Sequence, residues 1–246
     1  MKLGFTKFIA ISVCALMLLG SVVFADAASP ADSVDGVVLL GSTIASDAEE
    51  ITSDSNLPKE DMALKFTDLE ADDWAYASIL NLAGRGIVSG DTMGTIRPDG
   101  GVTREEVAKM MVVARRFSVG ENADLNATDA ESVADWAKGY FAAAMAKGII
   151  TGYTDGTVRG NGVVTRAEMA TIIVRSINAS SENFVSSSFT DISADDWFAK
   201  YVECAKKLGI VNGYEDGSFG GENQVTRREA FAMIDRMVRL LDALEA

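Results

Sequence analysis

The chain has 246 residues, with 22 Lys and Arg against 36 Asp and Glu, no His, and a formal net charge of −14. An acidic chain without a basic stripe is a poor nucleic-acid binder, because that affinity comes largely from neutralising phosphates. The missing His removes Ser-His-Asp triads, Cys-His pairs and His-ligated metal sites. Hydrophobic content of 48% supports a real core, so the bulk of the chain is expected to fold, as one large domain or two to three small ones.

The first segment reads as an export signal. Lys2 and Lys7 open it, Phe8 to Leu19 is continuously apolar, and Ala25-Asp26-Ala27 matches a small-residue cleavage pattern, with Val23-Phe24-Ala25 as an alternative. A retained membrane anchor is the competing reading, since Phe8 to Ala25 is uncharged and just long enough to span. Removing residues 1–27 leaves 20 basic against 35 acidic side chains, a charge of −15. Cys14 and Cys204 are the only two cysteines, so cleavage leaves one thiol and no internal disulfide. Cys204 is expected to pack as a small apolar residue. An exported chain with so few cysteines fits a bacterial surface better than a disulfide-built secreted domain.

Residues 28–64 are rich in Ala, Ser, Asp and Glu, with a brief apolar run at Val37–Leu40 and a break at Leu57-Pro58. The composition predicts a mostly unstructured acidic spacer, either a reach-extending tether or a dispensable leader.

The remainder is one unit three times over. Trp74, Trp136 and Trp197, the only tryptophans, are 62 and 61 residues apart, and Thr103-Arg104, Thr165-Arg166 and Thr226-Arg227 keep the same intervals. Gly86, Gly148 and Gly209 each follow their Trp by 12 residues. The divisions are residues 65–120, 121–182 and 183–246. Within each unit Asp68, Asp129 or Asp191 precedes the Trp. A first helix is predicted over Trp74–Ala83, Trp136–Lys147 and Trp197–Leu208, ended by the glycine. A loop follows, reading Gly152-Tyr153-Thr154-Asp155-Gly156 and Gly213-Tyr214-Glu215-Asp216-Gly217 in the later units.

Thr103, Thr165 and Thr226 are each followed three residues later by Glu106, Glu168 and Glu229, which is the capping-box signature of a second helix. Apolar residues then fall at +4, +7 and +8 from the Thr: Val107, Met110 and Met111; Met169, Ile172 and Ile173; Ala230, Met233 and Ile234. One buried stripe per helix is expected. The economical way to bury three is a pseudo-threefold assembly, mainly α, of three helix–loop–helix repeats around a central helical bundle.

Taken together, Phe66-Thr67-Asp68, Trp74, the Gly-Ile pairs, the Gly-Tyr-x-Asp-Gly loops and the Thr-Arg-x-Glu motifs resemble the S-layer homology (SLH) domain over residues 66 to about 241. The third copy is clearest, with Phe189-Thr190-Asp191, Trp197, Gly213-Tyr214, Asp216-Gly217 and Thr226-Arg227-Arg228-Glu229. The resemblance implies non-covalent attachment to the bacterial cell wall through an anionic, often pyruvylated, secondary cell-wall polysaccharide held in grooves between repeats. It implies ligand contacts from Arg104, Arg166 and Arg227 and from Trp74, Trp136 and Trp197.

Residue chemistry bears on these roles. An Arg at the first helical position meets the positive end of the helix dipole, where an acid would be the stabilising choice. Three such arginines make sense if they hold an anion beside exposed amides, a planar guanidinium suiting a carboxylate. The competing role is pairing with a neighbouring acid. An exposed Trp stacks on sugar rings, while a buried one is core; Tyr153 and Tyr214 are further candidates. Asp68, Asp129 and Asp191 read as loop or cap residues rather than sugar ligands, and the Thr and Glu of each motif as caps. The copies differ: Asp91 replaces the loop Tyr and Met93 the loop Asp in the first, and Gly160 and Gly220 stand where the first has Pro98. Fewer than three working grooves are expected.

Rival functions are weaker. Asp72-Asp73 and Asp195-Asp196 recur just before the Trp, which points to a structural motif rather than a glycosidase pair. The Asp-Gly loops lack a calcium ladder. The expectation is a non-enzymatic, exported protein of the cell surface, cell wall or S-layer, without metal, cofactor or nucleic acid and with no membrane span after signal cleavage. Its expected partners are a cell-wall polysaccharide, a peptidoglycan-linked polymer or S-layer proteins. The alternative is a wall-associated structural or adaptor protein whose repeats make protein–protein or S-layer assembly contacts.

Overall fold

The computed structural model describes residues 37–39, 66–120, 124–181 and 184–246. The signal-like segment and the rest of the acidic stretch lie outside them. Six α-helices, paired within each repeat, make up the fold: α1 Tyr76–Gly84 and α2 Arg104–Ala114, α3 Asp135–Ala146 and α4 Arg166–Ser176, α5 Ala199–Lys207 and α6 Arg227–Glu245. Two short strands, β1 Val37–Leu39 and β2 Ala179–Ser181, pair antiparallel. β1 falls inside the stretch whose composition reads as spacer. Its brief β-branched run finds a partner edge in β2, a tertiary contact that composition does not register.

The first helices end where the glycines dictate. Gly86, Gly148 and Gly209 have φ of +69°, +68° and +70°, a left-handed conformation that glycine adopts at no steric cost. Their starts differ from expectation: only Trp136 lies within its helix, while Trp74 and Trp197 sit in the turn just before. In the first repeat the Ala75 amide donates to Asp73 Oδ1 at 2.8 Å, and the Tyr76 amide to the Asp73 carbonyl. That turn delays the helix past the Trp.

All three capping boxes form, with Thr103, Thr165 and Thr226 each accepting from the N3 amide and the N3 Glu answering the cap amide. All nine predicted stripe residues are buried. They join Phe141, Phe219 and Phe231 in a single apolar cluster running through all three repeats.

The helices are interlocked around a ring. α2 packs on α3 of the next repeat, α4 on α5 of the third, and α6 back on α1 of the first. Each second helix therefore finds its main partner in the following repeat, and α4 also meets α6. The cap segments close the centre through single antiparallel bridges, Thr103 with Val163, Thr165 with Gln224 and Thr226 with Gly101. No repeat can bury its own stripe alone, so the three make one cooperative unit.

Candidate ligand-binding grooves between repeats

The first two amides of each capped helix are occupied. Arg104 N and Glu105 N donate to the Gly162 and Gly160 carbonyls, Arg166 N and Ala167 N to Asn223 and Gly221, and Arg227 N and Arg228 N to Gly100 and Pro98. The expectation of exposed amides beside the arginines is thereby corrected: the loop of the next repeat satisfies them, as a buried helix start requires. The same register sets Gly221, rather than Gly220, opposite Pro98.

The three arginines are buried, at 5%, 6% and 8% exposure for Arg104, Arg166 and Arg227. Arg166 donates through Nε to the Phe219 carbonyl at 3.0 Å, through Nη1 to Glu229 Oε1 at 2.8 Å and through Nη2 to the Asn212 carbonyl at 3.4 Å. Arg227 donates through Nε to the Ile96 carbonyl and through Nη1 to Glu106 Oε1 at 2.6 Å. Arg104 reaches the Val158 and Thr151 carbonyls, with Glu168 Oε1 at 3.5 Å. Each guanidinium thus staples its helix to the following repeat and pairs with that repeat's capping Glu. The role of pairing with an acid is present in all three.

This does not take the arginines out of the grooves. Arg166 lines a concavity of about 150 Å³ together with Trp74 of the first repeat and Tyr214, Glu229 and Arg236 of the third, so all three repeats meet there. Of its five N–H groups, three are bound to protein among the described residues. Its Cζ lies 4.9 Å from the Tyr214 ring centroid. Trp74 is 59% exposed and Tyr214 is exposed beside it, presenting apolar faces with polar edges. A carboxylate in this groove would meet the spare guanidinium protons, and a sugar ring the indole.

The pseudo-threefold sets two equivalents. By that symmetry one groups Trp197 with Arg104, Glu168 and Tyr153, the Tyr153 hydroxyl donating to Glu168 Oε1 at 3.2 Å and Arg104 Cζ lying 4.9 Å from the Tyr153 ring centroid. Partial burial, the first cause, pushes the Tyr153 hydroxyl pKa up. The other has Trp136, Arg227 and Glu106, with Asp91 in the place of Tyr. Trp136 and Trp197 are exposed, like Trp74.

Because each Arg is matched by a Glu, the buried pairs contribute little net charge. A further cation on the capped helix supplies it. Arg236 lines the first groove, donating to the Ile210 carbonyl at 3.1 Å. Arg175 holds the same position in the second repeat, ten residues after the capping Thr, and Lys109 lies 5.7 Å from the Trp136 ring. Sequence reasoning missed these three. Their only signal was a cation among the apolar positions of a capped helix, and Lys109 does not share the offset of the other two.

The loop aspartates are structural. Asp68 accepts from the Ile96 and Arg97 amides, Asp129 from Val158 and Arg159, and Asp191 from Phe219 and Gly220, all within 2.7–2.8 Å. Asp73 is committed to the Ala75 amide and to Arg228 at 3.0 Å, and Asp196 to the Ser193 amide. Asp155 accepts from the Thr157 hydroxyl and amide and from Arg159, which hold its pKa down to about 2.

The S-layer homology domain matches residues 65–108, 128–170 and 188–231, together more than half of the chain. The chain belongs to the S-layer homology domain family. Its SLH repeats coincide with the three structural units, and membership makes it an exported protein of the bacterial cell surface, carrying an anchoring module. It is 30% identical over 166 residues to Cell surface glycoprotein 1 of Acetivibrio thermocellus, covering 62% of this chain and 7% of that protein. It is 29% identical over 184 residues to the Cellulosome-anchoring protein of the same organism, 73% of this chain and 40% of the relative. It is 35% identical over 179 residues to the Amylopullulanase of Thermoanaerobacterium thermosulfurigenes, 69% of this chain and 9% of the enzyme. The chain thus spans well under half the length of these relatives, and what it shares with the enzyme is a small part of it. No helix among the described residues is long and apolar enough to cross a membrane.

Proposed function

We propose that the chain attaches non-covalently to the bacterial cell wall by binding an anionic secondary polysaccharide in the grooves between its SLH repeats. The observation that carries this reading is the groove where exposed Trp74, the Arg166 guanidinium and Tyr214 come together from three different repeats. The indole offers a stacking face, the guanidinium a fork for a carboxylate, and Arg236 the net positive charge. The same reading assigns residues 1–27 to a signal peptide, 28–64 to a spacer that presents the module, and no catalysis to the repeats. Relatives named for surface layers and cellulosome anchoring agree with it.

Co-sedimentation with purified walls tests it, with the secondary polymer present and stripped. Binding to intact walls alone, weakened in Trp74→Ala/Tyr214→Ala and lost when Trp197→Ala/Tyr153→Ala is added, is the expected result. Equal binding to stripped walls, or none to either, overturns it. Exposed Trp and Tyr are the informative positions, because substituting the buried arginines also removes the staples between repeats.

A further inference from the structure

A second concavity, of about 560 Å³, lies where the ends of α3 and α4 meet β2 and α5. Its size is within the roughly 300–1,000 Å³ of small-molecule sites. Lys147, Arg175 and Lys200 line it, and among the described residues no acidic side chain does. Among the described residues none of the three forms an ion pair. Arg175 and Lys200 instead lie 5.1 and 5.0 Å from the centroid of one ring, Tyr201, so two like charges share one aromatic neighbour. In a chain of net charge −14 this is a local reversal of sign. Mutual repulsion makes such a cluster unfavourable by itself, and a bound anion relieves it.

The other two junctions of the ring are built differently. Where α6 meets α1, Asp235 stands in place of Val174; Ser78 and Asn81 donate to it and Arg239 pairs with it, so acid and hydrogen bonds fill the space. Where α2 meets α3, Gly139 stands in place of Lys200, against Val119. One residue, Thr151, links the hollow to the Arg104 staple. Arg175 Nη1 lies 3.5 Å from Thr151 Oγ1, and the carbonyl of that same Thr151 accepts from Arg104 at 2.8 Å.

We propose that this hollow is a second anion site, taking a carboxylate- or phosphate-bearing sugar of the polymer whose neighbouring residue occupies the Trp197 groove. The identity of the polymer rests on the proposed function; the anion site does not. Lys147 and Lys200 act as point charges, Arg175 as the shared fork between the two subsites, and Asn178 and Ser180 as hydrogen-bonding groups for sugar hydroxyls.

Amide shifts of the 15N-labelled chain test it, with trigalacturonate and glucose 1-phosphate as charged probes and maltotriose as the uncharged control. Saturable shifts at Gly148 and Asn178–Ser180 with either charged probe are expected, trigalacturonate marking a carboxylate ligand and glucose 1-phosphate a phosphate ligand. In Lys147→Gln/Lys200→Gln, whose two exposed positions leave the core intact, binding weakens about tenfold or more. No shift there with either charged probe, equal shifts with maltotriose, or unchanged affinity in the variant overturns the site. Wall co-sedimentation of the unaltered chain separates the two readings: its failure with the shifts intact supports the anion site and overturns only the polymer assignment.

Discussion

Arg227 and Glu106 are 121 positions apart in sequence, yet their side chains meet at 2.6 Å and close the ring between the third and first repeats. Glu106 serves two partners at once: Oε1 accepts from the arginine and Oε2 from the Thr103 amide at 2.9 Å. One carboxylate thus caps its own helix and holds the previous repeat. Glu229 does the same for Thr226 and Arg166.

Arg227→Ala is expected to destabilise the whole unit by about 2–4 kcal/mol, since it strands a half-buried Glu and breaks a buried bond to the Ile96 carbonyl. Arg227→Lys recovers only part of this, because an ammonium cannot reproduce the fork. Urea unfolding measures both. A single transition is expected, because the three repeats share one core; separate transitions for single repeats would contradict the ring.

Trp74→Ala and Trp197→Ala are expected to leave stability within about 0.5 kcal/mol, as for substitutions at exposed positions. Loss of wall binding without loss of stability identifies a ligand contact. A stability cost above 2 kcal/mol would instead mark these residues as core.

The first-repeat loop shows how one function is kept and another dropped. Asp91 accepts from the Thr95 amide at 3.0 Å and hydroxyl at 2.6 Å, the bonds that Asp155 makes to Thr157 in the second repeat. The turn is preserved, but the capping acid has moved onto the aromatic position. Asp91→Tyr/Met93→Asp is therefore expected to fold with the acid restored to its usual place and to complete the Trp136 groove. Wall affinity rises if that groove then binds, by a few-fold on the scale of one stacking contact, and side-by-side co-sedimentation reads it. Asp91→Tyr alone leaves the turn uncapped and is expected to melt at a lower temperature than the double variant.

Stability is expected to be flat between pH 5 and 8, since no His titrates there. Asp155 ionises at about 2 in the folded chain against an ordinary 3.8. A depressed carboxylate contributes stability that is complete above its ordinary pKa and is lost as pH falls toward the folded value. Asp91 and Asp216 are lowered in the same direction, first by their Thr95 and Ser218 hydroxyls. Thermal melts should therefore weaken from about pH 4 downward, and Asp155→Asn should flatten part of that slope.

Local codes determined much of this protein in advance. Thr and Glu three apart specify a capped helix whatever surrounds them, glycine at the helix end specifies a left-handed stop, and the +4, +7, +8 spacing specifies which face is buried; each is a short-range matter of backbone geometry and side-chain reach. The threefold recurrence of these signals made the fold and the family legible. Tertiary structure decided what recurrence could not. The partners of Arg104, Arg166 and Arg227 come from the next repeat, so whether an arginine is a staple, a ligand contact or both depends on ring closure. Arg236 reaches its groove and Lys109 the Trp136 ring through packing of each helix on its neighbour. The basic hollow joins Lys147 just past α3 with Arg175 of α4 and Lys200 of α5, and no local spacing foretells that three charges will share one space.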